Sequence, residues 1–156
     1  YRADRKGFNG SDQVAPYQVD AAYMQRNLSE KLPTDSQIYL DKIYQFCKRE
    51  KSQLLLVNTI SPLVWTNGRH EIIQTWCDEN DVNYVDYNQP ELLKKIAFDF
   101  NTDLRDYGEH VNVYGSKKIC KNLGNYIKQN YVLEDHRKDS SYQEWNTLAQ
   151  DASEYD

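Results

Sequence analysis

The chain of 156 residues is 39% apolar and 28% charged, with a net charge of -5 and a pI near 5.2. That suits one domain with a single sizeable core. An acidic chain without a basic stripe is not built to grip a nucleic-acid backbone, and no run approaches the ~18 apolar residues of a membrane-spanning helix.

The first stretch, YRADRKGFNG, has no apolar core and is not a signal peptide. Lacking an initiator Met and any lead-in, it reads as an internal piece of a longer protein. Residues 1–34 are polar and irregular, broken by Gly7, Gly10, Pro16 and Pro33, with a short helix expected near 19–29. The α/β part is expected over 35–131. TDSQIYLDKIYQFCKREK places Tyr39, Ile43, Phe46 and Cys47 at helical spacing, with Thr34 or Asp35 as cap. QLLLVNTI is a continuous apolar run, the signature of a strand buried on both faces of a parallel sheet. SPLVWTNG is a loop, and RHEIIQTWCDEN a helix with Ile72, Ile73, Trp76 and Cys77 inward. VNYVDY is a second strand, and PELLKKIAF a short helix opened by Pro90. After a loop over 99–114 comes a last helix, starting near Gly115 or Ser116 and burying Ile119, Leu123, Tyr126 and Ile127. The tail, 132–156, is acidic and aperiodic. Trp145 and Tyr142 are expected to pack back on the domain, and the last ten residues to be disordered.

Strands alternating with helices predict an α/β fold, a flavodoxin-like three-layer α/β/α arrangement with a parallel sheet. Two strands are too few for such a sheet. Either residues 1–34 add a strand, or polypeptide outside this chain completes it. Cys47, Cys77 and Cys120 form no Cys-x-x-Cys pair, and each is expected to be a buried thiol on an apolar helix face. Thirteen tyrosines point to half-buried surfaces or polar grooves without naming a ligand.

The chemistry concentrates in DLRDYGEHVNVYGSKK. Ligands of open parallel sheets bind beyond the carboxyl ends of the strands, where this loop and SPLVWTNG are expected to meet. Asp106 lies four residues before His110 on a loop. There a carboxylate can turn back to accept the Nδ1 proton and leave Nε2 free for a hydroxyl, and Gly108 permits the turn. The same residues could instead cap a helix and decorate a polar loop. Asn112 could tie the loop to its own backbone, and Gly115 is expected to be a turn glycine. Pro62 and Trp65 could line a cleft or cover the core edge. His70 and His136 are expected to be surface residues. A metal site from Asp103, Asp106, Glu109 and His110 has one imidazole and no ligand-like spacing, so none is expected.

His110-Val111-Asn112 with Gly115, a helix after it and Asp106 before it, resembles the final block of SGNH (GDSL-type) hydrolases. The ordered set YLDKIYQFCKRE, LLLVNTISP, DYNQPE, HVNVYGSKK and LEDHRKDSSYQEW is similar to bacterial SGNH-hydrolase-like proteins over about residues 36–146. The resemblance implies the C-terminal part of a serine esterase or O-acyltransferase. His110 would be its general base and Asp106 the orienting acid, with three residues between them where the family usually has two. Asp103 is an alternative acid. Ser61, Pro62, Trp65 and Asn112 would contact an acyl-ester substrate, with O-acyl groups of cell-surface glycans as the family's range. No cofactor is implied, and an extracytoplasmic location is. No Gly-Asp-Ser-like block follows a first strand here. Ser11 has no strand before it, and Ser61 sits in the wrong loop. The nucleophile is therefore expected upstream, and the chain alone is expected to be inactive. The rival is a non-catalytic α/β module that binds a glycan or a protein. A receiver-like domain ranks lower, because the phosphate-cradling glycine loop and acidic pocket are missing.

Overall fold

The computed structural model describes residues 10–19, 22–26 and 30–152. The strongest apolar patterns form the expected elements. They are α1 (Thr34–Arg49), β1 (Leu55–Asn58), α2 (Asn67–Asn80), β2 (Asn83–Asp86) and α3 (Pro90–Lys95). Local chemistry sets their ends. Thr66 caps α2, its hydroxyl accepting from the Arg69 N–H at 3.2 Å. The same helix stops on Asp81, which takes the left-handed conformation at φ 53°. Pro90 opens α3, where its missing N–H costs nothing.

β1 and β2 pair in parallel, Leu55 beside Asn83 and Asn58 beside Asp86, so their carboxyl ends finish level. The molecule is mixed α/β, with helices around this short two-stranded sheet. One side of β2 carries the core. Val85 and Tyr87 bury against Ile60, Ile96 and Ile119, with Leu92, Phe98 and Leu123 at the margin. Tyr87 is fully buried, and its hydroxyl donates to Asn122 Oδ1 at 3.0 Å.

The loop over 99–114 holds more order than its sequence suggests. Leu104–Arg105 (β3) and His110–Val111 (β4) form a two-by-two antiparallel hairpin, too short for an alternating pattern to reveal. The N-terminal segment lies along it: the Ala15 N–H donates to Leu104 O at 3.0 Å and the Val113 N–H to Ser11 O at 2.9 Å. The last long helix, α4 (Val113–Asn130), begins two residues earlier than expected because Asn112 caps it. Gly115 is therefore not a turn glycine. It lies in the first turn of α4, where a Cβ would stand 2.5 Å from the carbonyl oxygen of Asp103.

Several expectations fail for identifiable reasons. The face of α1 that docks is Leu40, Tyr44 and Cys47. Tyr44 donates to Asn80 O and sits edge-on to Trp76, whose indole N–H donates to Asp41 at 2.8 Å. Tyr39, Ile43 and Phe46, expected inward, are 64%, 51% and 53% exposed. Of the three cysteines only Cys77 is buried, and burial pushes its thiol up to about 11; Cys47 is half-buried and Cys120 exposed. The tail is not aperiodic coil. Gln143–Ala152 forms a helix, α5, and residues 153–156 lie outside the described range. Tyr142 stacks on His136 at 4.2 Å, while Trp145 stays largely exposed. The helix expected near 19–29 falls partly outside the described residues, and Tyr23–Gln25 form a single 3-10 turn. The described residues of the first 34 contribute no strand, so among the described residues the outer edge of β1 is unpaired.

Candidate functional site

The hairpin turn answers how an Asp and a His four residues apart can meet. Asp106, Tyr107 and Gly108 all take positive φ, at 48°, 58° and 99°. For Asp106 and Tyr107 that region is sparsely populated, and such strain gathers at functional loops. The left-handed run swings the Asp106 carboxylate back over β4. Oδ1 then accepts the backbone N–H of His110 at 2.9 Å, and Oδ2 meets its Nδ1 at 2.9 Å. A Cβ at Gly108 would stand 2.9 Å from Cγ of Tyr17, so the loop's shape also relies on the packed N-terminal segment.

With Nδ1 engaged, Nε2 is the ring nitrogen left to work. The ring lines a cleft of about 310 Å³ together with Gly10, Ser11, Thr59, Arg105 and Ser116. The pair is solvated: Asp106 is 41% exposed and His110 61%. In water such a contact couples weakly, so strong coupling requires something to cover it. Arg105 approaches from the neighbouring strand, 3.9 Å from Asp106 Oδ2. Its buried Nε has no hydrogen-bond partner among the described residues. Asp106, Glu109 and His110 bring ligand atoms within 4.8 Å of one another. With one imidazole, and both Asp106 oxygens already bonded, they make a poor metal cage.

The other expected contacts are not at this cleft, with one exception that is spoken for. Asn112 borders it but is 1% exposed. Its carbonyl accepts the N–H groups of Tyr114 and Gly115, and its amide donates to Gln13 O, Thr102 O and Leu104 O. It is a helix cap and a loop clamp with no donor or acceptor spare for substrate. Asp103, the alternative acid, is buried elsewhere, bonded to Lys118 Nζ at 2.6 Å and to the Asp99 N–H at 2.7 Å. From the loop after β1, Thr59 and Ile60 reach the cleft, whereas Ser61, Pro62 and Trp65 do not line it. Ser61 gives its N–H to Asn88, Pro62 is buried, and Trp65 turns its indole toward β2.

That indole leads to the residues the sequence reading missed. Asp86, at the carboxyl end of β2, is 3% exposed. Oδ2 accepts from Trp65 Nε1 at 2.8 Å and meets His70 Nδ1 at 2.9 Å; Oδ1 accepts from the Asn88 backbone and amide at 2.9 and 2.8 Å, and from Asn58 at 3.3 Å. Burial alone would push the carboxyl up. The hydrogen bonds from Asn88, Trp65 and His70 outweigh it and hold Asp86 below the usual carboxylate range. His70 is therefore not an idle surface residue: it is 16% exposed, tied to Asp86 and stacked on Tyr84. The one available signal was position, since an acid ending a strand with no charged neighbour needs partners when buried.

No protein-family model matches this chain, and no match was found among curated proteins or solved structures.

Proposed function

We propose that this chain supplies the acid–base pair of an SGNH-type serine esterase or O-acyltransferase. It would form the C-terminal part of a flavodoxin-like three-layer α/β/α domain whose remaining strands pair with the open edge of β1. The observation that carries this reading is the 2.9 Å contact between Asp106 Oδ2 and His110 Nδ1, set up by a left-handed loop, with the ring on a cleft. A serine hydroxyl attacks the acyl carbonyl as its proton passes to Nε2 of His110. The Asp106 carboxylate stabilises the imidazolium that results. The proton then goes to the leaving alkoxide as the ester C–O bond breaks, and water or an acceptor hydroxyl takes the acyl group in the second half. Ser11 and Ser116 line the cleft, but Ser116 lies inside the first turn of α4 and no strand of the described chain leads into Ser11. The nucleophile is therefore assigned to polypeptide outside this chain, which would also cover the solvated pair. O-acyl groups on cell-surface glycans are the substrate class we propose, with an extracytoplasmic location.

The second reading, a non-catalytic glycan- or protein-binding module, is favoured by the exposure of the His110 ring. Labelling with a fluorophosphonate probe separates the two. In the assembly that carries the nucleophile, His110→Ala is expected to slow labelling by about 10³-fold or more, and Asp106→Ala to slow it less. Labelling at the same rate in His110→Ala protein removes the catalytic reading. This chain by itself is expected not to label or to turn over p-nitrophenyl acetate. Turnover by the isolated chain that survives Ser11→Ala and Ser61→Ala but stops in His110→Ala would contradict the assignment of the nucleophile.

A further inference from the structure

We propose that the groove along the free side of β2 binds a neutral saccharide. β2 pairs with β1 on one side only. On the other, between α2, the start of α3 and the outer face of α4, lies a groove of about 610 Å³, within the range of small-ligand sites. It is separate from the His110 cleft and shares no lining residue with it. The proposal therefore does not depend on the ester reading, and covering the outer edge of β1 leaves this groove open.

The chemistry of the walls selects the ligand. On α4, Asn122, Asn125 and Gln129 recur at steps of three and four residues, so they form one stripe on the groove side. The neighbouring stripe, Ile119, Leu123 and Tyr126, packs toward the core. Gln89 faces them from the lead-in to α3. A carboxamide offers a donor and an acceptor side by side, the spacing at which two vicinal hydroxyls of a sugar can be bonded together. Asn122 already accepts from Tyr87, which fixes its carbonyl end and presents its amino group. Beneath the groove, Gln89 Nε2 is buried without a hydrogen-bond partner among the described residues, while the Tyr84 hydroxyl lies toward the Asp86 carboxylate. A polar ligand or its bound water would relieve that cost.

Charge points the same way. Glu91 and Lys95 stand one turn apart on α3 and offset each other, while the Asp86 carboxylate is consumed by its partners. The charge left over is the buried Asp86 carboxylate, whose oxygens are taken up by those donors, and the lining offers no unbalanced cation among the described residues to hold an anionic ligand. The rings of Tyr84 and Tyr126, which also border the groove, offer the flat apolar surface against which a pyranose C–H face packs. A peptide could instead add to the edge of β2. Such binding needs apolar pockets for alternate side chains beside the strand, whereas the α4 wall that faces β2 carries the carboxamides of Asn122, Asn125 and Gln129 and the apolar surface is in the rings of Tyr84 and Tyr126 with Val85 and Leu92.

The test is a titration of the whole chain, followed by amide resonances that include side-chain NH₂ groups, with cellotetraose, chitotetraose and maltotetraose up to about 10 mM. At least one sugar is expected to shift the side-chain amides of Asn122, Asn125, Gln129 and Gln89. The double variant Asn125→Ala, Gln129→Ala alters two exposed positions and keeps the fold, which its remaining resonances verify. It is expected to weaken binding about tenfold or more. His110→Ala is expected to bind sugar unchanged, so failure here and failure of the ester reading are separate results. The proposal is overturned if none of the three sugars moves these amides, if the shifts survive in the double variant, or if a neutral extended peptide moves them and the sugars do not.

Discussion

Asp86→Ala is expected to cost the domain on the order of 4 kcal/mol, a large part of the ~5–15 kcal/mol that holds a domain folded. The carboxylate is the shared acceptor for Trp65, His70, Asn58 and both N–H groups of Asn88. Removing it strands several buried donors at once, and each unsatisfied donor costs about 1–3 kcal/mol. Urea unfolding followed by tryptophan fluorescence measures the loss, and a midpoint close to that of the parent would show that these bonds are not where stability lies. Acid gives an independent measurement. Asp86 has a lowered carboxyl pKa in the folded state, so its contribution is fully present above the unfolded value of about 3.9 and is lost as pH falls through the folded value. Stability should therefore decline on the acid side below about pH 4, and the decline should be shallower in Asp86→Asn.

Gly115→Val is expected to be comparably damaging, at about 3 kcal/mol or more. A Cβ at this position meets Asp103 O at 2.5 Å and the Phe98 ring at 3.0 Å. The nearer atom belongs to backbone, which cannot rotate aside. To relieve the clash, either α4 shifts or the loop over 99–112 lifts, and the loop carries Asp106 and His110. The variant should thus lose the chemical-shift signature of the Asp106–His110 contact along with stability. Gly124 on the same helix is the control. A Cβ there has nothing within 4 Å, and Gly124→Ala should stabilise by about 0.5–1 kcal/mol through helix propensity alone. Equal effects at the two glycines would mean that close packing at Gly115 is not what matters.

Those two sites show what the sequence could and could not disclose. Apolar periodicity located the main helices and both parallel strands to within a few residues, because long runs average over local accidents. It identified an amphipathic α1 but not which stripe docks. That was decided by Asp41 and Tyr44, whose polar contacts to α2 depend on how the helices cross. Asp106 and His110 were legible because they are close in the chain and their residue types suit each other. His70 and Asp86 were not. Sixteen residues separate them, and they meet only because α2 returns across β2. Positive φ at Asp106 and Tyr107 leaves no composition signal, since neither is Gly. Asn112 read as a loop residue because its role depends on carbonyls of Gln13, Thr102 and Leu104 arriving from two other segments.

The bare outer side of β1 has a consequence for anyone handling the chain. Among the described residues no strand pairs with that side, so the N–H and C=O groups along Leu55-Leu56-Val57 are a template on which another copy can add, and no lysine or proline within the strand blunts it. Its state of association should therefore rise with concentration, and dilute, cold stocks are the ones in which the monomer persists.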